Sequence, residues 1–147
     1  MKITICGSIA FKTQMNQLQA QLEALGHEVK QPPAKVYNEA GQEISVEEYY
    51  RLRKTTTDHD SWVWQRKAEA IQTHFEKVVW ADAALVANFD KNGVVGYIGA
   101  NTLIEMGVAF YRKKPIYVLN SIPEMSYTEE ILGMQPIVVN GDLAKIT

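Results

Sequence analysis

The sequence predicts a doubly wound α/β protein with a parallel five-stranded sheet and one helical insertion, and three observations lead to this fold class. Short apolar runs such as Lys2–Cys6 and Ala83–Phe89 lack a helical period, which is typical of strands buried on both faces. Helical patterns separate these runs, and this alternation indicates a parallel sheet with right-handed crossovers. The region of about 34–66 is longer than a crossover needs, so it predicts the insertion.

The first elements predicted are a strand, a helix and a second strand. The β-branched run Lys2–Cys6 ends at a Gly-Ser turn. Apolar residues at spacings of three and four then predict a helix, and they are Met15, Leu18, Leu22 and Leu25. Gly26 occupies the position of a C-terminal cap glycine, and His27–Lys30 is predicted to form the second strand.

The insertion is predicted to be largely helical. Its first part is polar and lacks periodicity, which indicates an excursion over the surface. Ser45 followed by Glu48 is a capping box, so a short helix is expected to begin there. After a break at 55–60, apolar residues at helical spacing predict a long helix over about 61–81.

The second half of the chain supplies the remaining strands. Ala83–Phe89 predicts the central strand, followed by a glycine-rich loop and a helix that Asn101 or Thr102 can cap. Two more strands are predicted at Ile116–Leu119 and Ile137–Val139, with a short helix between them. The five strands and their helices predict a fold of flavodoxin-like or Rossmann-like type.

Composition limits the class of protein. The 147 residues, 46% hydrophobic and 22% charged, are expected to form a single domain, 1–147. A net charge of -2 with interspersed signs argues against a nucleic-acid polymer as partner. Cys6 is the single cysteine, so no internal disulfide is possible. We find no apolar run of membrane-spanning length and expect no membrane partner and a cytoplasmic location.

The stretch after the central strand contains the first candidate for chemistry. Three glycines spaced three apart allow sharp bends or close approach of a ligand, and they are Gly93, Gly96 and Gly99. Ligands of open α/β sheets bind at the carboxyl ends of the strands, where the Glu105 carboxylate is expected to point. A plainer interpretation is that Thr102 and Glu105 form a capping box. Tyr97 is the aromatic residue most expected near a ligand, because it lies within the glycine loop.

Two further candidates have plain alternatives of their own. The turn Cys6-Gly7-Ser8-Ile9 is either an anion site, with backbone amides pointing outward, or an ordinary α/β turn. His74 lies in the predicted long helix, where a histidine is usually a surface or core residue and less often part of a site. His27, His59 and His74 show no ligand spacing, so no metal site is expected.

These residues together resemble a known family, the nucleoside 2-deoxyribosyltransferase superfamily, which includes the 2′-deoxynucleoside 5′-phosphate N-hydrolases. The segments that carry the resemblance are Cys6-Gly7-Ser8-Ile9, Ala81-Asp82, and Gly96 through Glu105-Met106-Gly107-Val108-Ala109. The resemblance covers most of the chain apart from 34–66. It implies that Glu105 is a nucleophile that attacks the anomeric carbon of deoxyribose and forms a covalent glycosyl-enzyme.

The resemblance also implies a substrate site. Its expected residues are Cys6, Gly7, Ser8, Ile9, Asn88, Gly96, Tyr97, Gly99, Asn101 and Thr102. Three positions depart from the family pattern: Thr4 stands for a tyrosine, His74 for an aspartate, and Gly99 for a serine or aspartate. A histidine pKa near 6.5 suits proton transfer to a leaving base, so His74 is the expected acid or base.

The function expected is cleavage or transfer of the N-glycosidic bond of a nucleoside or its 5′-monophosphate. The implied partner is this small molecule, no cofactor is expected, and the implied assembly is a homodimer or larger. The alternative is a nucleotide-binding or sensing module that has lost the chemistry. A third class, the cytokinin-activating phosphoribohydrolases, has a similar loop before a glutamate, but their Pro-Gly-Gly-x-Gly-Thr run is lacking here.

Overall fold

A computed structural model describes residues 1–33, 35–59 and 61–147. Ala34, where the predicted insertion begins, and Asp60, where the predicted break ends, lie outside the described residues. The chain divides into two compact units, one formed by Met1–Pro32 and Phe75–Thr147 and the other by Pro33–His74. A single domain over the whole chain stays a prediction.

The described residues form two sheets and five α-helices. The strands are β1 (Lys2–Cys6), β2 (Glu28–Lys30), β3 (Val36–Tyr37), β4 (Glu43–Ile44), β5 (Ala83–Val86), β6 (Ile116–Val118) and β7 (Ile137–Val138). The α-helices are α1 (Lys12–Ala24), α2 (Val46–Thr55), α3 (Trp62–Trp80), α4 (Ala100–Tyr111) and α5 (Thr128–Gly133). None of these helices is both long and apolar enough to cross a membrane.

The first unit contains the predicted parallel sheet. Its strand order is β2-β1-β5-β6-β7, and every neighbouring pair is parallel. All four residues of β5 are buried, as expected for a central strand covered on both faces. The predicted fold class, a doubly wound α/β protein with a five-stranded parallel sheet, is therefore confirmed.

Side chains of the central strand alternate between two apolar cores. Ala83 and Leu85 belong to one core cluster together with Leu22 of α1. Ala84 and Val86 belong to the other, which contains Met106 of α4. Helices thus pack on both faces of the sheet, and burial of each large aliphatic side chain contributes about 1.5–3 kcal/mol.

The strand order sets the position of the candidate site. From β1 the chain crosses over to β2 on one side, whereas from β5 it continues to β6 on the other. The switch point of the topology therefore lies between β1 and β5, and ligands of such sheets bind at the carboxyl ends of these strands. The turn after β1 and the glycine-rich loop after β5 begin at this edge.

The second unit contains a hairpin that the sequence pattern did not predict. Strands β3 and β4 pair antiparallel, and a turn closed by Asn38 and Gln42 connects them. The predicted cap of α2 is confirmed, because Ser45 Oγ accepts a hydrogen bond from Glu48 N at 3.0 Å. The hydroxyl of Tyr49 donates to Val63 O at 3.1 Å and links α2 to the start of α3.

Candidate active site

Glu105 lies in the second turn of α4, and this position excludes the role of a cap. Helix α4 begins at Ala100 with Gly99 as its N-cap residue, and no side chain caps it. The prediction that Asn101 or Thr102 caps the helix is therefore wrong. Thr102 is buried inside the helix, so the predicted capping box with Glu105 does not form. The Glu105 side chain is 8% exposed, which is unusual for a glutamate.

The Glu105 carboxylate lies beside the thiol of Cys6. Cys6 is the last residue of β1 and is fully buried. Its Sγ and a carboxylate oxygen of Glu105 lie within 4.8 Å of each other. Burial raises the pKa of the Cys6 thiol well above its ordinary value, and the charge of Glu105 and a side-chain hydrogen bond with it raise this pKa further. The thiol is therefore neutral at pH 7 and can donate its proton toward the carboxylate.

The turn after β1 packs tightly against the end of β5. A Cβ on Gly7 would lie 3.1 Å from Met15 Sδ and 3.2 Å from Ala87 O. Close packing thus accounts for a glycine at this position. Ser8 is the N-cap of a 3-10 helix, Ile9–Phe11, and its Oγ accepts a hydrogen bond from Ala10 N at 3.3 Å.

The glycine loop packs closely against the residues that follow β6. Gly96 has φ +67, and a Cβ there would lie 2.5 Å from Ser121 O, so any other residue would clash. A Cβ on Gly99 would lie 3.2 Å from the ring of Tyr97, which is itself half-buried. The amide of Tyr97 donates to Phe89 O at 2.9 Å and fixes the glycine loop to the segment that follows β5.

Asn88 ties the glycine loop to the residues after β6. Its Nδ2 donates to Ser121 O at 2.9 Å, to Gly96 O at 3.2 Å and to Asn120 O at 3.3 Å. Its Oδ1 accepts from Asn120 N at 2.8 Å. The side chain is fully buried, and these contacts give it a structural role. Its contact with substrate stays a prediction.

Two residues of this region are absent from the predicted site. Lys91 Nζ donates to Ser8 Oγ at 3.0 Å, which connects the glycine loop to the turn after β1. Tyr127 donates to Ile98 O at 2.6 Å, and burial together with the nearby Tyr97 raises its pKa. A lysine between the central strand and the three glycines was a sequence signal for Lys91, whereas nothing in the pattern indicated Tyr127.

The remaining candidates lie at several places in the structure. His74 is buried in α3 and is the last residue of the second unit. Asn101 is exposed in the first turn of α4. The hydroxyl of Thr4 donates to Lys77 O at 2.7 Å. A carboxylate oxygen of Asp82 accepts from Lys2 N at 2.7 Å, between the end of α3 and the start of β5.

The second unit contains a cavity of its own, with a volume of about 360 Å³. Its lining residues are His59, Ser61, Trp64, Gln65 and Ala68. None of the predicted site residues is among them. The candidate site is therefore the group of residues at the switch point of the parallel sheet.

Fold and site define a doubly wound α/β protein with a buried carboxylate and thiol at the switch point. No known family model and no curated protein sequence matches the chain. Among solved structures, a 2-deoxyribosyltransferase from Bacillus psychrosaccharolyticus is 17% identical, with a TM-score of 0.46 over 81% of this chain and 72% of that one.

A CMP N-glycosidase from Clostridium botulinum is 14% identical, with a TM-score of 0.47 over 95% of this chain and 90% of that one. Both TM-scores lie below 0.5.

Proposed function

We propose that this protein cleaves or transfers the N-glycosidic bond of a deoxynucleoside or its 5′-monophosphate, with Glu105 as the nucleophile. The observation that supports this most directly is the environment of Glu105. It is a buried carboxylate beside Cys6, at the carboxyl end of β1, in a helix that does not use it as a cap. Ligands of doubly wound proteins bind at the topological switch point, and a buried carboxylate there is a candidate catalytic group.

The reaction follows from the chemistry of a retaining glycosidase. A Glu105 carboxylate oxygen forms a bond to the anomeric carbon while the bond from that carbon to the base nitrogen breaks. The electron pair of the broken bond stays on the base, which takes up a proton. Attack by water on the glycosyl ester then releases the sugar, whereas attack by a second base gives a new nucleoside. The absence of a 2′-hydroxyl lowers the cost of the positive charge that develops on the ring.

The thiol of Cys6 has a positioning role in this proposal. A neutral S–H that donates to one carboxylate oxygen restricts rotation of the Glu105 side chain. The other oxygen can then be oriented toward the sugar. Because the thiol is a weak donor, it leaves the carboxylate more nucleophilic than a strong donor would.

His74 is proposed as the group that protonates the leaving base. The proposal for His74 rests on its sequence position, eight residues before Asp82, where the family carries an acidic residue. A histidine imidazolium can give up a proton to a leaving base near neutral pH. A His74→Gln variant should therefore lose more activity on bases that are poor leaving groups than on activated ones.

A release assay tests the proposed reaction. The 147-residue protein is incubated with each common deoxynucleoside and its 5′-monophosphate, with and without a second free base, and the products are separated by chromatography. Glu105→Gln should lower the rate of base release on the order of 10³-fold or more. Glu124→Gln changes an exposed glutamate outside α4 and serves as the matched control.

Each result of this assay has a definite meaning. Base release that depends on Glu105 supports the proposal, and new nucleoside formed only with a second base identifies a transferase. No cleavage of any substrate by the wild type, together with a melting temperature raised by one nucleotide, would instead support a binding module. The melting temperature of Glu105→Gln must be measured, because the side chain is buried.

A further inference from the structure

Two lysines from neighbouring strands lie over the indole ring of Trp80, the last residue of α3. Lys30 Nζ, at the end of β2, is 4.0 Å from the ring centroid, and Lys2 Nζ, at the start of β1, is 5.4 Å from it. Both distances are within the range of a cation–π contact. Lys2 and Lys30 are exposed, and Trp80 is half-buried. The ring therefore holds two ammonium groups at one place on the surface.

A third lysine, Lys77, belongs to the same group. Lys77 precedes Trp80 by three residues on α3, so the two side chains lie on the same side of the helix. The half-buried side chain of Lys77 reaches the residue after β2, where its Nζ donates to Gln31 O at 2.9 Å. Burial lowers the pKa of Lys77, and the charge of Lys30 lowers it further. We call this group the Trp80 cluster: Lys2, Lys30, Lys77 and Trp80.

Strand pairing and a side-chain bond fix the positions of the three lysines. In the parallel pair of β1 with β2, Lys2 lies opposite Glu28 and Thr4 lies opposite Lys30. Residues two apart on a strand share a face, so these four side chains lie on one face of the sheet. The hydroxyl of Thr4 donates to Lys77 O at 2.7 Å, so α3 packs on the same face. The Trp80 cluster is thus held by two strands and a helix.

The charges of the Trp80 cluster lack an anionic partner within the described part of the chain. The ion pairs found there are Lys35–Glu43, Arg51–Glu48 and Arg66–Glu69. Like charges held close together raise the free energy of the folded protein, and an anion bound among them removes part of this cost. An ammonium group carries three N–H donors and binds phosphate oxygens as a point charge. The cluster is therefore suited to an anion with several phosphate oxygens.

Two carboxylates limit the size of this basic surface. Glu28 is exposed and lies opposite Lys2, on the same face as the Trp80 cluster. Asp82, next to β5, is also exposed and accepts from the amide of Lys2 at 2.7 Å. Both would repel an extended polyanion such as RNA, whereas a compact anion with several charges can contact the ammonium groups alone. A chain of two or three linked phosphates is such an anion.

We propose that the Trp80 cluster binds a small multivalent phosphate ligand, either a free di- or triphosphate or the phosphate chain of a nucleotide. The site is separate from the candidate active site and does not depend on the proposed function. Lys2 lies at the amino end of β1 and Cys6 at its carboxyl end, so their Cα atoms are about 13 Å apart. Binding offsets the repulsion between Lys30 and Lys77 and should raise the melting temperature.

Titration calorimetry with tripolyphosphate, pyrophosphate and orthophosphate at low salt tests the site. The wild type should bind tripolyphosphate most tightly and orthophosphate least, because the number of charges decreases in that order. Lys30→Met removes one exposed ammonium and should weaken binding of tripolyphosphate on the order of tenfold. Glu28→Gln removes a nearby negative charge and should strengthen it. Lys30 is the better residue to change, because Lys77 also holds Gln31 in the fold.

Lys145→Met is the matched control, because it removes an exposed lysine charge from the C-terminal 3-10 helix and should leave binding unchanged. Equal binding of tripolyphosphate by Lys30→Met and wild type, or no binding by wild type, would overturn the inference. The lysines would then serve only to protect β2, which is an edge strand. Orthophosphate bound as tightly as tripolyphosphate would also overturn it, and so would a single-stranded oligonucleotide that binds more tightly than tripolyphosphate.

ADP distinguishes the two sources of the phosphate chain, because ADP and pyrophosphate share a diphosphate group. Binding of ADP that is weakened by Lys30→Met and is tighter than that of pyrophosphate would support a nucleotide as the ligand. Binding of pyrophosphate that is weakened by Lys30→Met and is at least as tight as that of ADP would support a free polyphosphate.

Discussion

At the scale of single residues, Gly96 and Gly93 illustrate two reasons why a position requires glycine, a positive φ and a lack of space for a side chain. Both have positive φ, +67 and +74. A Cβ on Gly96 would lie 2.5 Å from the carbonyl oxygen of Ser121, whereas a Cβ on Gly93 would meet nothing within 4 Å. Replacing either glycine by another residue would therefore strain the backbone, and of the two replacements only the one at Gly96 would also cause a steric clash.

The first prediction compares alanine at these two positions. Gly93→Ala should lower the free energy of unfolding by about 1 kcal/mol, the usual cost of a left-handed alanine. Gly96→Ala should cost about 2–4 kcal/mol, because backbone atoms of two loops must also move. Chemical denaturation of both variants measures the difference. Equal losses would show that the loop after β6 moves aside at little cost.

The second prediction concerns Cys6 and pH. The folded protein raises the pKa of this thiol, so the unfolded chain loses the thiol proton first as the pH rises. The contribution of the thiol to stability is therefore complete below the unfolded pKa, about 8.5, and decreases above it. The Cys6→Ser variant is the reference, because a serine hydroxyl does not titrate in this range. The free energy of unfolding of the wild type, relative to that of Cys6→Ser, should fall between pH 8 and 10. A constant difference would contradict the raised pKa.

At the scale of elements, Asn88 connects the ends of neighbouring strands. Residues after β5 and β6 meet through its side chain, which donates to three carbonyl oxygens and accepts one backbone amide. Parallel strands hold each other by regular backbone bonds only where they pair. Beyond the last pair of β5 with β6, at Val86 and Val118, Asn88 continues the connection.

The third prediction is that Asn88→Asp destabilises the protein by about 3 kcal/mol or more. The substitution keeps the shape of the side chain but places a carboxylate oxygen among the carbonyl oxygens of Gly96, Asn120 and Ser121. Asn101→Asp is the matched control at an exposed position in the first turn of α4, where a negative charge is favourable. Urea denaturation at pH 7 compares the two. A small loss for Asn88→Asp that disappears at pH 4 would mean that the site accepts a protonated acid.

The sequence pattern was sufficient to predict the parallel sheet but not all of its surroundings. Apolar runs without a helical period identified the five strands, because central strands are buried on both faces. Strands β3 and β4 have two residues each, too few to show alternation, and the hairpin was missed. The start of α4 was misjudged because Gly99 occupies the N-cap position without a side-chain bond, while polar residues stand just inside the helix.

The sequence likewise predicted one part of the candidate site and not another. Glu105 was predicted from a local pattern, namely a carboxylate that follows a glycine loop. The contact between Lys91 and Ser8 was not predicted, since these residues are 83 positions apart and meet only because β1 pairs with β5. The burial of Cys6 against Glu105 likewise depends on how α4 packs on the sheet. Contacts of this kind follow from topology and cannot be derived from spacing.

At the scale of the whole molecule, helix α4 has two apolar faces. One face packs in the core through Met106 and Ala109, next to Glu105. On the other, Ile104 and Tyr111 are seven residues apart and exposed by 43% and 82%. Exposed apolar residues at this spacing form a stripe along the helix, and such stripes often mark a surface that another protein covers.

The last prediction is that the protein is a homodimer or larger and that this stripe of α4 contributes to the contact. The resemblance implies such an assembly, and a second copy would bury the two exposed side chains. Light scattering after gel filtration should give at least twice the 16.6 kDa chain mass, and Ile104→Glu with Tyr111→Glu should shift it toward the monomer. Leu25→Glu, at an exposed leucine after α1, is the control and should leave the mass unchanged. A wild-type monomer would contradict the prediction, and a dimer unaffected by either change would locate its interface elsewhere. Because α4 also carries Glu105, loss of the dimer should lower base release as well, since a monomer would leave this helix less constrained.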